Sequence, residues 1–504
     1  MRGRGLAKKG VRLQYSGLVI FAARMISVAT GLIFTLLITR NTSVPQFGVW
    51  ENVFDLMAYF VLLAGAIPFW STRFVARSKE GSTKTGLVAS VIIGAISTAL
   101  YIPLVPFITS ALNVGQAYLV LYFMVSVQIF EMYLINQFEA TLRAERPQAT
   151  GYGLLFEEIT KISLAYVLIL RLLPQQPLTG AMISLTVAFV IQITYYLKLV
   201  SPSLKERIQW NYVREWLKGS VAYIYYVVGG QITQVIFIML FVLGGQAARG
   251  DCAAATTIAS IIGYSSYLSF ALYPRLLANQ RSEDVGTSLK LVLMFAIPLT
   301  AGAMAIPDSL LAMLKESYVE AAPVLFILAV DYLVATIFGF YQYVLFGVEK
   351  LDEKATIPIR QLLKSDTFKV FTLSYIQSAI TLPLTYYVLT TFITNKSTQY
   401  VQAAVYVATI LVVAQLAMFI VLYLLVQRSI KVIVPWKSIG KYVLSGAVMG
   451  SMLYLIPHQT RIATILAVTI MGGVLYLAVL SMIDKEARTL IKSILQEMRG
   501  YFET

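Results

Sequence analysis

Cysteine and histidine are almost missing from this 504-residue chain, one of each, and their scarcity removes whole classes of chemistry. Cys252 alone makes no internal disulfide, and His458 alone makes no multi-histidine metal site. Charged residues are 13% of the chain, about half the share in an ordinary soluble domain. Long polar connections are lacking too: none exceeds roughly two dozen residues, which leaves no room for a soluble catalytic or nucleotide-binding domain. No G-x-x-x-x-G-K-[ST] occurs; the nearest string, Gly440-Lys441-Tyr442, lacks the hydroxyl and the leading glycine. An ATP-driven pump is therefore not expected. The first apolar run is long enough to span and has no small-residue cleavage pattern, so no cleavable signal is expected either.

What remains is apolar length. Hydrophobic residues make up 58% of the chain, and its mean hydropathy is +0.74. Fourteen runs can cross a hydrocarbon core of roughly 30 Å. They are residues 16–38, 47–70, 85–108, 117–138, 151–173, 180–197 and 220–244, then 252–273, 291–310, 322–346, 370–393, 400–426, 439–456 and 462–483. The expected fold class is an all-α integral membrane protein of about 14 transmembrane helices.

Positive charge turns those runs into a topology. The connections on the side of the N-terminus hold 32 Lys and Arg residues. The opposite connections hold only Arg40, Arg171, Arg249, Lys315, Lys396 and Arg461. Basic residues in short loops stay cytoplasmic, so both termini are expected inside a cytoplasmic membrane, read here as that of a prokaryote. The net charge of +15 is spread over eight short segments instead of one stripe. Topology and anionic headgroups account for it, and no nucleic-acid partner is expected.

A weak internal repeat organises the chain. Pro68 and Pro274, and Lys84 and Lys290, stand at one offset of 206 residues, each proline closing an apolar run before a basic loop. Six spans separate equivalent points, so the copies keep one orientation, as parallel repeats about an axis along the membrane normal. Two six-helix lobes in pseudo-twofold arrangement follow: residues 1–200 with helices 1–6, and 201–430 with a linker and helices 7–12. Residues 431–504 add helices 13 and 14 and a cytoplasmic amphipathic tail. The linker, 198–218, carries Trp210, Tyr212 and Trp216 among charges, which suits a short interfacial helix. In the tail, Ala487, Leu490, Ile491, Ile494, Leu495 and Met498 recur at helical spacing opposite Lys485, Glu486, Arg488 and Lys492. A helix on the inner leaflet fits this pattern, and so does a partner-binding helix.

Ionisable groups inside spans are costly and usually face a bundle interior or aqueous cavity. The first half has Arg24, Glu51, Asp55, Glu131, Glu157, Glu158 and Lys161; the second has Asp331. Arg24 and Ser27 share a face with Gly17, Gly31 and Thr35. An arginine there suits a phosphate or pyrophosphate held bidentately, or an ion pair with an acid such as Asp55. Glu51 and Asp55, four residues apart, form a candidate proton- or cation-coupling pair, since two close carboxylates in low dielectric favour one proton between them. An outer headgroup position for Glu51 is the alternative. Glu157, Glu158 and Lys161 read as a gating or structural network, with Glu131 grouped beside them. In the second half the candidates are Gln231 and Gln234 on one face, Gln377 with Ser374, Ser378 and Thr381 on another, and Asp331. Helix-to-helix adhesion is the alternative for these polar residues. No metal site and no cofactor are expected, only a coupling proton or sodium ion, or the membrane potential.

Three stretches carry a resemblance: Pro45-Gln46-Phe47-Gly48-Val49-Trp50, Thr72-Arg73-Phe74-Val75-Ala76-Arg77, and, in the second half, Tyr273-Pro274-Arg275-Leu276 with Phe346-Gly347-Val348-Glu349-Lys350. With Arg24 in the first helix, the chain resembles the Wzx-like polysaccharide flippases of the multidrug/oligosaccharidyl-lipid/polysaccharide exporter superfamily. That resemblance implies two six-helix lobes around a central cavity. It also implies alternating-access movement of a polyprenyl-phosphate- or pyrophosphate-linked saccharide, for cell-surface glycan biosynthesis. Arg24, Ser27, Gln231, Gln234 and Gln377 would contact substrate; Asp55, Glu51 and Asp331 would couple an ion. Lipid II flippases of that superfamily carry several cavity arginines, whereas the second half here has none at mid-membrane. Membrane lipids, glycosyltransferases or a polymerase are the implied partners, and a monomer is expected. The spans hold six acids against two bases, which keeps a cation-coupled small-molecule antiporter open. A membrane glycosyltransferase or polymerase is the third reading, against outer loops of about five to ten residues.

Overall fold

The computed structural model describes residues 13–269, 282–349, 365–430 and 432–489, and helix is the only regular structure among them. The physical reason is the solvent. Lipid offers no hydrogen-bond partner, so each spanning segment satisfies its own backbone. Within the described residues, every one of the fourteen apolar runs falls on helix. Among the described residues nine helices are long and apolar enough to cross a membrane, or ten when one bent pair counts as a span. The chain is a multi-pass membrane protein. The repeat partner Pro274, the stretch Tyr273–Leu276, Lys350 and residues 490–504 lie outside the described residues.

The chain divides into two compact units, one reaching to Ser43 and then covering Asn52–Gln231, the other covering Val44–Glu51 and everything from Ile232. The first unit contains α1 (Leu13–Asn41), the later part of α2 (Val44–Phe60), α3 (Ala66–Ala76), α4 (Ser82–Ala111), α5 (Leu119–Glu145), α6 (Pro147–Val167), α7 (Pro177–Val200), α8 (Trp210–Gly219) and most of α9 (Val221–Thr233). Inside it α1 packs along α6, α4 along α5, and α7 against both α5 and α6. The expected second span is bent by 54° between α2 and α3. A 3-10 turn at Leu62–Gly65 makes the break. Gly65 sits where a Cβ would lie 2.0 Å from the Tyr223 hydroxyl, so the absence of a side chain there lets Tyr223 approach the break. Pro68 follows in the first turn of α3, where a missing N–H removes no helical bond.

The second unit adds α10 (Val235–Met239), α11 (Gln246–Gly263), α12 (Ser282–Ala305), α13 (Pro307–Leu314), α14 (Ala322–Glu349), α15 (Asp366–Phe392), α16 (Tyr400–Ser429), α17 (Trp436–Tyr454) and α18 (Ile462–Ile483). Residues Val44–Glu51 join it through a glycine crossing. A Cβ on Gly48 would lie 1.9 Å from the Gln246 carbonyl oxygen, and one on Gly250 would lie 2.2 Å from that of Val44. The seventh span is discontinuous: α9 stops at Thr233, Gln234 starts α10, and a π turn at Leu240–Gly244 completes the run. Helices α17 and α18 share the apolar core of this unit. Tyr442, Met449, Leu453, Tyr476 and Leu480 pack with Val285, Leu293 and Leu345. Tyr476 also donates a 2.8 Å bond to the Met294 carbonyl. The beginning of the expected tail helix is present, with Asp484 Oδ1 accepting from the Glu486 and Ala487 amides.

Candidate functional site

The densest buried polar arrangement among the described residues lies between α1 and α6. Residues 157, 158 and 161 fall on one side of α6 because side chains three and four apart share a helix face. The three are 4%, 2% and 8% exposed, and Gly151, lower on α6, lets the backbone of α1 come close at Val19 and Ile20. Lys161 Nζ lies 2.9 Å from Glu157 Oε1 and 2.8 Å from Glu158 Oε2. From α1, Ser27 Oγ donates to Glu158 Oε1 at 2.6 Å, and Thr30 Oγ1 lies 2.7 Å from Glu158 Oε2. The ring of Phe34, one turn further, stands 5.7 Å from the ammonium. Glu158 therefore receives a cation and two hydroxyls.

Two carboxylates against one ammonium leave a single negative charge in excess when all three groups are ionised. Uptake of one proton makes the cluster neutral. Burial in low dielectric penalises an uncompensated charge heavily, so each member of the cluster depends on its partners. Ser27, expected beside Arg24 as a substrate contact, has its hydroxyl committed to Glu158. Arg24 itself is exposed on α1.

The remaining expected residues are dispersed. Glu131 on α5 is 3% exposed and neither carboxylate oxygen has a hydrogen-bond partner among the described residues, so it stands apart from the α1–α6 network. Asp55 is half-buried on α2. In the second unit Glu51 is 3.4 Å from Arg249, whose guanidinium lies over the Phe237 ring at 4.8 Å. Glu51 thus faces a cation as well as sharing its helix with Asp55. Gln231 is half-buried, its carbonyl accepting from the Tyr59 hydroxyl at 3.3 Å, while Gln234 is exposed at the helix break. That break ends the continuous face the two glutamines were expected to share. Asp331 on α14 and Gln377 on α15 are half-buried and no hydrogen bond joins them among the described residues.

Three participants escaped the sequence reading. Thr30 is three residues past Ser27, a spacing that was available as a signal. Arg249 counted as an outer-loop cation, yet it is 5% exposed. Asp251 is fully buried with both oxygens unbonded among the described residues, and nothing in its local sequence marks it. Among the described residues no three His, Cys, Asp or Glu side chains are placed to hold a metal ion.

No family model and no curated protein matches this sequence. Solved structures do. The lipid II flippase MurJ in an inward closed conformation is 15% identical, with a TM-score of 0.63, over 94% of this chain and all of its own. An inward-facing multidrug resistance MATE family transporter of the MOP superfamily is 11% identical, with a TM-score of 0.61. It covers 82% of this chain and 98% of its own. The fold is that of the MOP-superfamily transporters. A MATE protein in the bent conformation agrees at a TM-score of 0.51 and 13% identity, over 82% of this chain and 96% of its own. These neighbours are a flippase and transporters, and this chain shares their fold.

Proposed function

We propose that this protein is a Wzx-like flippase that carries a polyprenyl-phosphate- or pyrophosphate-linked oligosaccharide across the cytoplasmic membrane of a prokaryote by alternating access. One observation carries the reading. The flippase fold matches 94% of this chain, against 82% for the drug transporter. The helices beyond twelve, α17 and α18, belong to the core of the second unit. Both termini lie inside in this reading, the working unit is a monomer, and glycosyltransferases or a polymerase act before and after it. Arg24 is the substrate-phosphate ligand, because its planar fork suits two phosphate oxygens and it is exposed on the helix that also carries Ser27.

The test is rescue of glycan export in cells that lack their own flippase and accumulate the lipid-linked precursor. Rescue by the wild type is expected. Arg24→Lys should impair export almost as much as Arg24→Ala, because a point charge does not replace a fork. Full export by a correctly inserted Arg24→Ala protein removes Arg24 from the mechanism, and absence of rescue by the wild type counts against the flippase.

The excess negative charge between α1 and α6 favours a second reading, a proton- or sodium-coupled small-molecule antiporter. Extrusion of cationic dyes driven by an imposed ion gradient, without precursor rescue, would select it. In either reading the Glu158 network is the gating element between α1 and α6, and Glu158→Gln should slow transport.

A further inference from the structure

We infer that α8 is a fixed foot that binds anionic phospholipid headgroups, a role that rests on the membrane-transporter reading and its inner placement of residues 198–218. Helix α8 has two unlike faces. At 3.6 residues per turn, Trp210, Arg214, Leu217 and Lys218 point one way, and Tyr212, Trp216 and Gly219 the other.

The second face is locked to the first unit. Phe74 meets Tyr212 at 5.1 Å and Trp216 at 5.3 Å between ring centroids. Gly219 lies so close to Trp70 that a Cβ would be 2.7 Å from the indole ring. Ser220 Oγ sits 3.0 Å from the Ala66 carbonyl, and the Gln209 amide donates to Thr85 Oγ1 at 2.8 Å. Trp216 is wholly buried. The segment before α8 is held as well, the Glu206 carboxylate accepting from the Gly81 amide. This part of the expected linker is therefore packed onto the first unit.

The first face is presented outward. Trp210 is 57% exposed and Leu217 45%, and Val221 at the start of α9 is exposed beside them. Arg214 and Lys218 alternate with these apolar groups and are exposed, as are Lys205 and Arg207 just before the helix. None of these four cations makes an ion pair among the described residues. The acid Glu215 is exposed at the edge of this face, and Glu206 is taken up by Gly81. Indole and leucine interleaved with unpaired Arg and Lys fit a leaflet surface, with rings at the headgroup–acyl boundary and cations on phosphate. Juxtamembrane cations gain about a kilocalorie each from an anionic leaflet, so removing two should weaken anionic-lipid binding roughly 25-fold.

The experiment uses the whole protein. Native mass spectrometry compares retention of phosphatidylglycerol and phosphatidylcholine by wild type, by Arg214→Gln/Lys218→Gln, and by the charge-keeping Arg214→Lys/Lys218→Arg. A bimane label at Trp210→Cys, on a Cys252→Ala background, reports its surroundings in phosphatidylcholine–phosphatidylglycerol vesicles. Expected are preferential retention of phosphatidylglycerol by wild type and by the charge-keeping variant, a loss near 25-fold in the neutral double variant at unchanged melting temperature, and quenching of the label by headgroup spin-labelled lipid. Equal phosphatidylglycerol retention in the neutral variant, or quenching by aqueous iodide alone, overturns the foot. Neither readout requires transport, so a failed glycan rescue with lipid retention intact counts against the proposed function and not against α8.

Discussion

The first unit holds a connected cluster of buried charge between α1 and α6 beside the isolated acid Glu131, whereas the second holds isolated acids and one longer ion pair. In the first, Glu157, Glu158 and Lys161 are packed together and supplied with hydroxyls from a second helix. In the second, Asp251 and the half-buried Asp331 hold carboxylate oxygens with no hydrogen-bond partner among the described residues, and the ion pair of Glu51 with Arg249 is longer, at 3.4 Å. A connected network tolerates full charge because each member compensates another. An isolated buried acid is cheapest when neutral. Substitutions of charge should therefore cost much within the α1–α6 cluster and little at isolated acids such as Asp251.

The sharpest way to break that contrast is Lys161→Ala. It strands two carboxylates that are almost wholly buried, and removal of one partner of a buried pair costs about 3–5 kcal/mol. A large fall in melting temperature, followed by size-exclusion fluorescence, is expected. The double change Glu157→Gln/Lys161→Met should recover part of it, since fewer charges are then left buried. Equal melting of wild type and Lys161→Ala would show that the network carries no stability.

Next in size is Gly48→Ala in the second unit. Backbone atoms of Gln246 occupy the place of the new methyl group, so α2 and α11 must separate, at a cost of about 1–3 kcal/mol. Melting of the purified protein reads this directly, and an unchanged value would mean that the crossing gives way freely. Thr30→Val comes third. It removes one hydroxyl from a charged acceptor, worth about 1.5 kcal/mol, while Ser27 and Lys161 remain. Coupling should appear in a double-mutant cycle with Glu158→Gln, and strict additivity of the two changes would argue that the 2.7 Å contact contributes nothing.

The smallest effect belongs to Asp251→Asn, a near-isosteric change at a site with no ionic partner to strand. Stability within about 0.5 kcal/mol of wild type is expected. A loss as large as that of Lys161→Ala would show Asp251 to be ionised and compensated, and the contrast between the units would fail.

Much of the architecture was legible before any coordinates. The helical character of the fourteen runs within the described residues, the meeting of residues 157, 158 and 161, and a short helix at Trp210, Tyr212 and Trp216 follow from spacing along one helix. Other features were not. The close approach of Tyr223 to Gly65 at the bend comes from far along the chain, and the break at Gln234 has no proline to announce it, Gly229 and Gly230 lying inside α9. Ser27 looked like a cavity residue because its face carries Arg24; only the approach of α6 shows that its hydroxyl serves Glu158.

The sequence by itself determined that this is an all-helical, multi-pass membrane protein, because lipid leaves a long apolar segment no alternative to its own backbone hydrogen bonds. Tertiary structure alone decided which buried charges are compensated. Pairing Ser27 and Thr30 with Glu158, or Glu51 with Arg249, joins residues 128 to 198 positions apart. Such contacts are fixed by how helices pack, through gaps such as those at Gly48, Gly151 and Gly250, and no local pattern of charge or hydropathy encodes that packing.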